Sequence, residues 1–348
     1  MSRIRNKLYF VLVFLAFLLP APFFVTGQTG GNSQFQTDQP VRLLVVTDRI
    51  SDTLGGGKVV FINEVDTTGS LKYLLVTMEG ESWYAEAYPS LKSLMENPMP
   101  YRDWAVWVHG DGQSFEISLE RAREIQALHK VNFIVFSWPT LAPDKGPINN
   151  FKYSRNNALL TVPFLHAFLH EIDQYRKMEY NRIQAGHLSI FFHSLACYML
   201  NEALNKGYLQ DISPDLFDNL IINQAATSSV GHADWVERLK IQKQVYIIFN
   251  DGDVNLAGFR VLFGQGYQLG ERPLPPLATN AIYLDFTGSV GFRLPTGATH
   301  SFYYATVAEK SNNIRETFSI LFQGYQLRFA DPVRFEATEE RQVFKVLF

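Results

Sequence analysis

From residue 103 to residue 288 the sequence alternates two patterns, and that alternation restricts the fold more than any other feature. One pattern is a short, almost wholly apolar run: "DWAVWVHG" (103 to 110), "VNFIVFSWP" (131 to 139), "LSIFFHS" (188 to 194), "FDNLIINQAA" (217 to 226), "KQVYIIFND" (243 to 251) and "NAIYLDFTG" (280 to 288). The other is a longer stretch with apolar residues at helical spacing: "SFEISLERAREIQALHK" (114 to 130), about Asn150 to Tyr175, and "LACYMLNEALNKG" (195 to 207), ended by Gly207. A strand that is apolar on both faces must be covered on both faces, and strands separated by helices are joined in parallel. The expectation is an α/β fold with a mostly parallel central sheet and helices on both faces. Earlier runs, "VRLLVVTD" (41 to 48), "GKVVFINEV" (57 to 65) and "LKYLLVTM" (71 to 78), predict a partly antiparallel start. The C-terminal "SFYYATVAEKSNNIRETFSILFQ" (301 to 323) reads mostly as helix. No internal repeat or composition break divides residues 41 to 348, so they are read as one domain.

The N-terminus has its own logic. Arg3, Arg5 and Lys7 precede the uncharged run "LYFVLVFLAFLLPAPFFV" from Leu8 to Val25. A basic start, an apolar centre and small residues after it predict a secretory signal peptide over residues 1 to 27, with Val25 and Gly27 at the cleavage positions. The competing reading is an uncleaved anchor, although the run is short for a span and is interrupted by Pro20 and Pro22. Residues 28 to 40 are polar and Gly-rich, as a flexible linker is. The expected location is therefore periplasmic or extracellular, with no stable membrane insertion if the signal is cleaved. The single cysteine, Cys197, excludes an intramolecular disulfide and is expected to be a buried, inert thiol. A net charge of −3 gives no electrostatic case for nucleic acid.

In open parallel sheets functional groups collect at the carboxyl ends of the strands. Four ends here carry chemistry-bearing residues: His109-Gly110-Asp111-Gly112, then Ser194, then Asp251 with Asp253, and finally His300 in "TGATHSFYY" beyond the last strand. Ser, Asp and His in that chain order match the triad order of the α/β-hydrolase fold. The chemistry explains the set. A serine hydroxyl needs a base to take its proton as it attacks, and His300 is the candidate. An aspartate fixes the imidazole tautomer and stabilises its charged form. The developing oxyanion needs preorganised donors, for which the backbone N–H groups of Leu195 and Asp111 are the candidates.

Each residue also has a plainer reading. Ser194 at a strand end is a suitable N-cap for the next helix, and Asp251 and Asp253 are suitable turn residues around Gly252. His166 and His170 lie one helical turn apart, as zinc ligands do, but Ala167 stands where the zinc-protease pattern requires Glu. "DGDVN" (251 to 255) imitates a calcium loop, yet Leu256 and Leu262 occupy the positions that need Gly and Glu. Neither metal reading survives.

The set "VHGDGQSFEISLERA", "FSWP", "SRNNA", "FHSLACYMLNEAL", "NDGDVNLAGFRVL", "IYLDF" and "THSFYY" resembles a bacterial α/β-hydrolase family of unknown function, over roughly residues 42 to 310. The resemblance implies Ser194 as nucleophile and His300 as base. Asp251 follows Asn250 as the family's N-D pair does, whereas "VNLAGFR" downstream fits the family better if Asp253 is the acid, and the resemblance favours Asp253. It also makes His109 a structural residue that shapes the oxyanion loop. The elbow Phe192-His193-Ser194-Leu195-Ala196 lacks both glycines of the common G-x-S-x-G pattern. The implied activity is esterase-like hydrolysis of a small-molecule acyl substrate through an acyl-enzyme, with no cofactor. The alternative is a non-catalytic binding or scaffolding protein on the same fold. Residues 141 to 150 and 227 to 232 are candidate pocket walls, and the aromatic richness favours an apolar acyl group. Oligomeric state is not readable.

Overall fold

The apolar runs become strands because their residues alternate between two separate cores. In β6 (Trp104–Val108), Trp104, Val106 and Val108 face one core while Ala105 and Trp107 face the other. Both sides are fully buried, which is why the run reads as continuous rather than alternating. The first core is closed by helices Pro147–Arg176 and Leu195–Asn205, the second by helices Phe115–His129 and Asn312–Phe322. The computed structural model describes residues 40–53, 59–80, 82–142, 144–291 and 296–348. The expected signal peptide and nearly all of the expected linker lie outside the described residues.

The main sheet has eleven strands. In chain order they are β1 (Val41–Thr47), β4 (Lys72–Glu79), β5 (Ser82–Tyr88), β6, β7 (Asn132–Ser137), β8 (Leu188–His193), β9 (Phe217–Asn223), β10 (Gln242–Phe249), β11 (Ala281–Asp285), β12 (Phe335–Ala337) and β13 (Val343–Val346). In space the order is β12-β13-β11-β10-β9-β8-β6-β7-β1-β4-β5. All neighbouring pairs from β1 to β13 through β7, β6 and β8 to β11 run parallel, and only the pairs β1–β4, β4–β5 and β12–β13 are antiparallel. A separate two-stranded ribbon pairs β2 (Arg49–Thr53) with β3 (Val59–Val65). The described residues fall within one compact unit, Thr37–Phe348. Among them, no helix is long and apolar enough to cross a membrane.

One feature of the connectivity positions the site. From β6 the chain moves to one side to form β7, then crosses to the other side to form β8. The order therefore reverses between β6 and β8, leaving a crevice at their carboxyl ends, where ligands of open α/β sheets bind. His109 follows β6 and Ser194 follows β8, so both flank this crevice.

The long helix begins at Pro147, three residues earlier than the pattern suggested, with proline in its first turn where its missing N–H costs nothing. At its other end the Leu195–Asn205 helix stops just before Gly207, whose φ of 80° favours glycine.

Candidate active site

Ser194 joins the end of β8 to helix Leu195–Asn205 with φ 55° and ψ −117°, a left-handed conformation uncommon for a residue with a side chain. Backbone bonds enforce it: Ser194 N–H donates to Asn223 O (2.9 Å), and Ser194 O accepts from Cys197 N (3.0 Å) and Ala226 N (3.2 Å). Ser194 stands at the N-cap position, yet its hydroxyl makes no cap hydrogen bond. The capping explanation for the residue therefore fails, and the strained turn holds at the crevice a hydroxyl that has no hydrogen-bond partner among the described residues.

The turn is possible because Gly110 has no side chain. A Cβ there would lie 2.8 Å from Ser194 Cβ and 3.1 Å from His193 O. The elbow itself tolerates Phe192 and Ala196, since both are fully buried within the first core. Gly110→Ala is expected to destabilise the fold by about 1–3 kcal/mol, the usual cost of overpacking. Thermal unfolding checks this, and an unchanged midpoint would show that the β6 loop yields freely.

Asp251 and Asp253 part company. Gly252 packs so closely on Gly291 that a Cβ would come within 2.5 Å of its carbonyl carbon. Asp251 is left half-exposed in an ion pair with Arg272. Asp253 is fully buried and turns inward to His300, with Oδ2 2.6 Å from Nδ1. Its Oδ1 accepts from the N–H groups of Asn255 (2.9 Å) and Leu256 (3.1 Å), capping helix Val254–Phe263. Gln224, at the end of β9 with φ 47°, completes the set. Its amide, oriented to satisfy its neighbours, donates to Asp253 Oδ2 (3.1 Å) and to Gly270 O (2.6 Å). Asn250 fixes the histidine segment from below by donating to Thr299 O (3.0 Å).

His300 engages Asp253 through Nδ1, which leaves Nε2 as the nitrogen available to the crevice. Its ring packs on that of His193, with centroids 4.7 Å apart. Burial, reinforced by the His300 ring, pushes the pKa of His193 well below the ordinary histidine range, so His193 is neutral at physiological pH. Ser194 and His300 do not hydrogen-bond to each other, a contact that commonly forms only when substrate is bound.

On the β6 side, Trp138 N–H donates to His109 Nε2 (3.1 Å), so the ring's proton resides on Nδ1, 2.9 Å from Gly110 O. Burial pushes the pKa of His109 down to about 3. This histidine is neutral, stacked on Trp138, and serves to shape the loop. The N–H groups of Asp111 and Leu195 donate to no other protein group among the described residues. Burial raises the pKa of Asp111, whose carboxylate accepts from Gly112 N (2.8 Å) and Asn150 Nδ2 (3.0 Å).

Arg49 is a residue that sequence patterns do not single out. It is fully buried, and donates to Ser137 Oγ (3.2 Å), Gln113 O (3.1 Å), Trp138 O (2.5 Å) and Asn63. It thereby ties the loop after β6 to the loop after β7. Cys197 is fully buried, with Sγ 3.2 Å from Phe192 O, and burial raises its pKa, so it stays a thiol. His166 pairs with Asp211 at 3.0 Å, and no group of three metal-ligating side chains occurs among the described residues.

Comparison with known proteins agrees with this architecture. No curated protein matches the chain. A family model described as "Alpha/beta hydrolase of unknown function" matches residues 93–271, just over half of the sequence, spanning β6 to the turn after helix Val254–Phe263. The matched stretch includes Ser194 and Asp253, whereas His300 lies beyond it. A mostly parallel sheet with its order reversed at β6 and β8, together with this match, places the chain in the alpha/beta hydrolase family of unknown function (DUF900).

Proposed function

We propose that the protein is an exported serine hydrolase that cleaves a carboxylic ester or a related acyl bond through an acyl-enzyme. The observation that supports it most is the buried Asp253–His300 pair, 2.6 Å apart, beside a strained serine whose hydroxyl is not used as a cap. In this reading Ser194 Oγ attacks the substrate carbonyl carbon while its proton passes to His300 Nε2. Asp253 holds the Nδ1–H tautomer and stabilises the imidazolium. The N–H groups of Leu195 and Asp111 receive the oxyanion, and loss of one such donor typically costs about 2.7–4 kcal/mol in the transition state. Collapse expels the alcohol, which takes its proton from His300. Water then attacks the acyl carbon, giving its proton to His300, and release of the acid returns the proton to Ser194. Neutral His193 supports this cycle, because a second positive ring against His300 would oppose imidazolium formation.

The reading is tested by fluorophosphonate labelling of the purified protein beside Ser194→Ala. Covalent labelling of wild type that is absent in the variant is the expected result. A folded wild type that neither labels nor hydrolyses any of a panel of p-nitrophenyl esters, neutral and carboxylate-terminated, would overturn it in favour of a non-catalytic binding protein. Export is tested separately by the N-terminal sequence of the secreted product, expected to begin at Gln28.

A further inference from the structure

Beside the elbow lies a cleft of about 370 Å³, formed by helices Pro147–Arg176 and Leu195–Asn205 and by segments 226–228 and 265–268. That volume suits a small acyl chain. Leu195, in its wall, directly follows Ser194, and Ala226, also in its wall, donates its N–H to Ser194 O. Of the regions expected to form pocket walls, Thr227 and Ser228 line this cleft, while none of the described residues between 141 and 150 does.

Arg155 is the only charged residue among the described residues that line the cleft. Its guanidinium lies over the Tyr198 ring, 4.7 Å from the centroid, and has no carboxylate partner among the described residues. Most guanidinium groups near the other strand ends are already engaged: Arg260 with Glu271, Arg272 with Asp251, and Arg49 with backbone carbonyls. A guanidinium held over an aromatic ring keeps its N–H edge free, a geometry suited to a planar carboxylate. Thr227, only 5% exposed, has a buried hydroxyl with no hydrogen-bond partner among the described residues. Among the described residues, the cleft is lined on the Leu195 and Ala226 side of Ser194 and not by the helix that carries His300. In the proposed mechanism the alcohol takes its proton from His300 and leaves beside it, and the cleft on the Leu195 side is then the place for the acyl group.

Resting on the hydrolase reading, we propose that this cleft is the acyl subsite and that it selects acyl chains ending in a carboxylate, so that the substrates are half-esters of dicarboxylic acids. Arg155 pairs with the distal carboxylate, and Tyr198 fixes the guanidinium.

The test measures binding and turnover separately. Calorimetry on the full chain carrying Ser194→Ala compares the monoethyl esters of glutaric, adipic and suberic acids with neutral ethyl esters of equal chain length. At least one half-ester is expected to bind tenfold or more tightly than its neutral counterpart. Adding Arg155→Met is expected to remove at least tenfold of that affinity. No preference at any chain length, or a preference that survives Arg155→Met, overturns the proposal. In parallel, wild type is assayed for hydrolysis of both ester series. Arg155-dependent binding without hydrolysis upholds the subsite and overturns the hydrolase reading. Hydrolysis of neutral esters without Arg155-dependent binding does the reverse.

Discussion

Asp253→Asn is expected to lower kcat for ester hydrolysis by about 10⁴-fold, while Asp251→Asn leaves it within about twofold of wild type. The two aspartates are separated by one residue, and their surroundings make them opposites. Asp251 faces solvent, where exposed pairs such as that with Arg272 contribute about 0–1 kcal/mol. Asp253 Oδ2 accepts the Nδ1 proton of His300. An asparagine in that place presents an N–H₂ group to Nδ1, which favours the tautomer protonated on Nε2. That nitrogen then has no lone pair with which to take the serine proton. The amide oxygen of asparagine can still cap the N–H groups of Asn255 and Leu256, so the loss of stability is expected to be about 1–3 kcal/mol, set by the Gln224 amide that no longer finds an acceptor at that position. Steady-state kinetics and thermal unfolding of both variants check this. Equal losses in the two variants, or an active Asp253→Asn, would remove Asp253 from the proposed mechanism.

That contrast marks where a sequence stops being informative. The buried strands and the placement of Ser194, Asp253 and His300 after separate strands are local or ordinal features, and they are readable. Which aspartate points inward is not, because Gly252 and its close approach to Gly291 decide it, and those residues are far apart in the chain. The same holds for Gln224, whose contact with Asp253 depends on the close packing of Gly270 against its backbone. His193 looked like part of the elbow alone, and only the packing of its ring on His300 gives it a role. The strands that the apolar pattern does not mark, β2, β5, β12 and β13, are explained differently: β2, RISDT, is short and mostly polar. β5 is largely exposed, and β12 and β13 are very short and lie at the far edge, so none carries the apolar run that marks a strand buried on both faces. Asp48 follows β1 and Arg49 opens β2, at a junction that otherwise reads as the end of a simple strand.

Arg49→Met is expected to destabilise the fold by about 3–5 kcal/mol near pH 8, the range for leaving a buried charge uncompensated. The variant keeps the volume of the side chain and removes the donors that join Gln113 O, Trp138 O and Ser137 Oγ. It also removes the positive charge next to Asp48, which is itself fully buried. Burial, opposed by the Thr161 hydroxyl and by Arg49, raises the Asp48 pKa from 3.8 to about 6. Burial lowers the Arg49 pKa to about 10, so the guanidinium is charged at neutral pH. The sign of the pH effect follows. Between pH 4 and 6 the folded state binds the Asp48 proton more tightly than the unfolded state, so rising pH lowers stability across that window. Without Arg49 the folded Asp48 pKa rises further, and the decline continues above pH 6. The difference between variant and wild type is therefore smaller at pH 5, where Asp48 is mostly neutral in both, and larger at pH 8. Urea unfolding at the two pH values measures it. A difference that is the same at both, or larger at pH 5, would mean that Arg49 acts only through its hydrogen bonds to the two loops and not through the charge of Asp48.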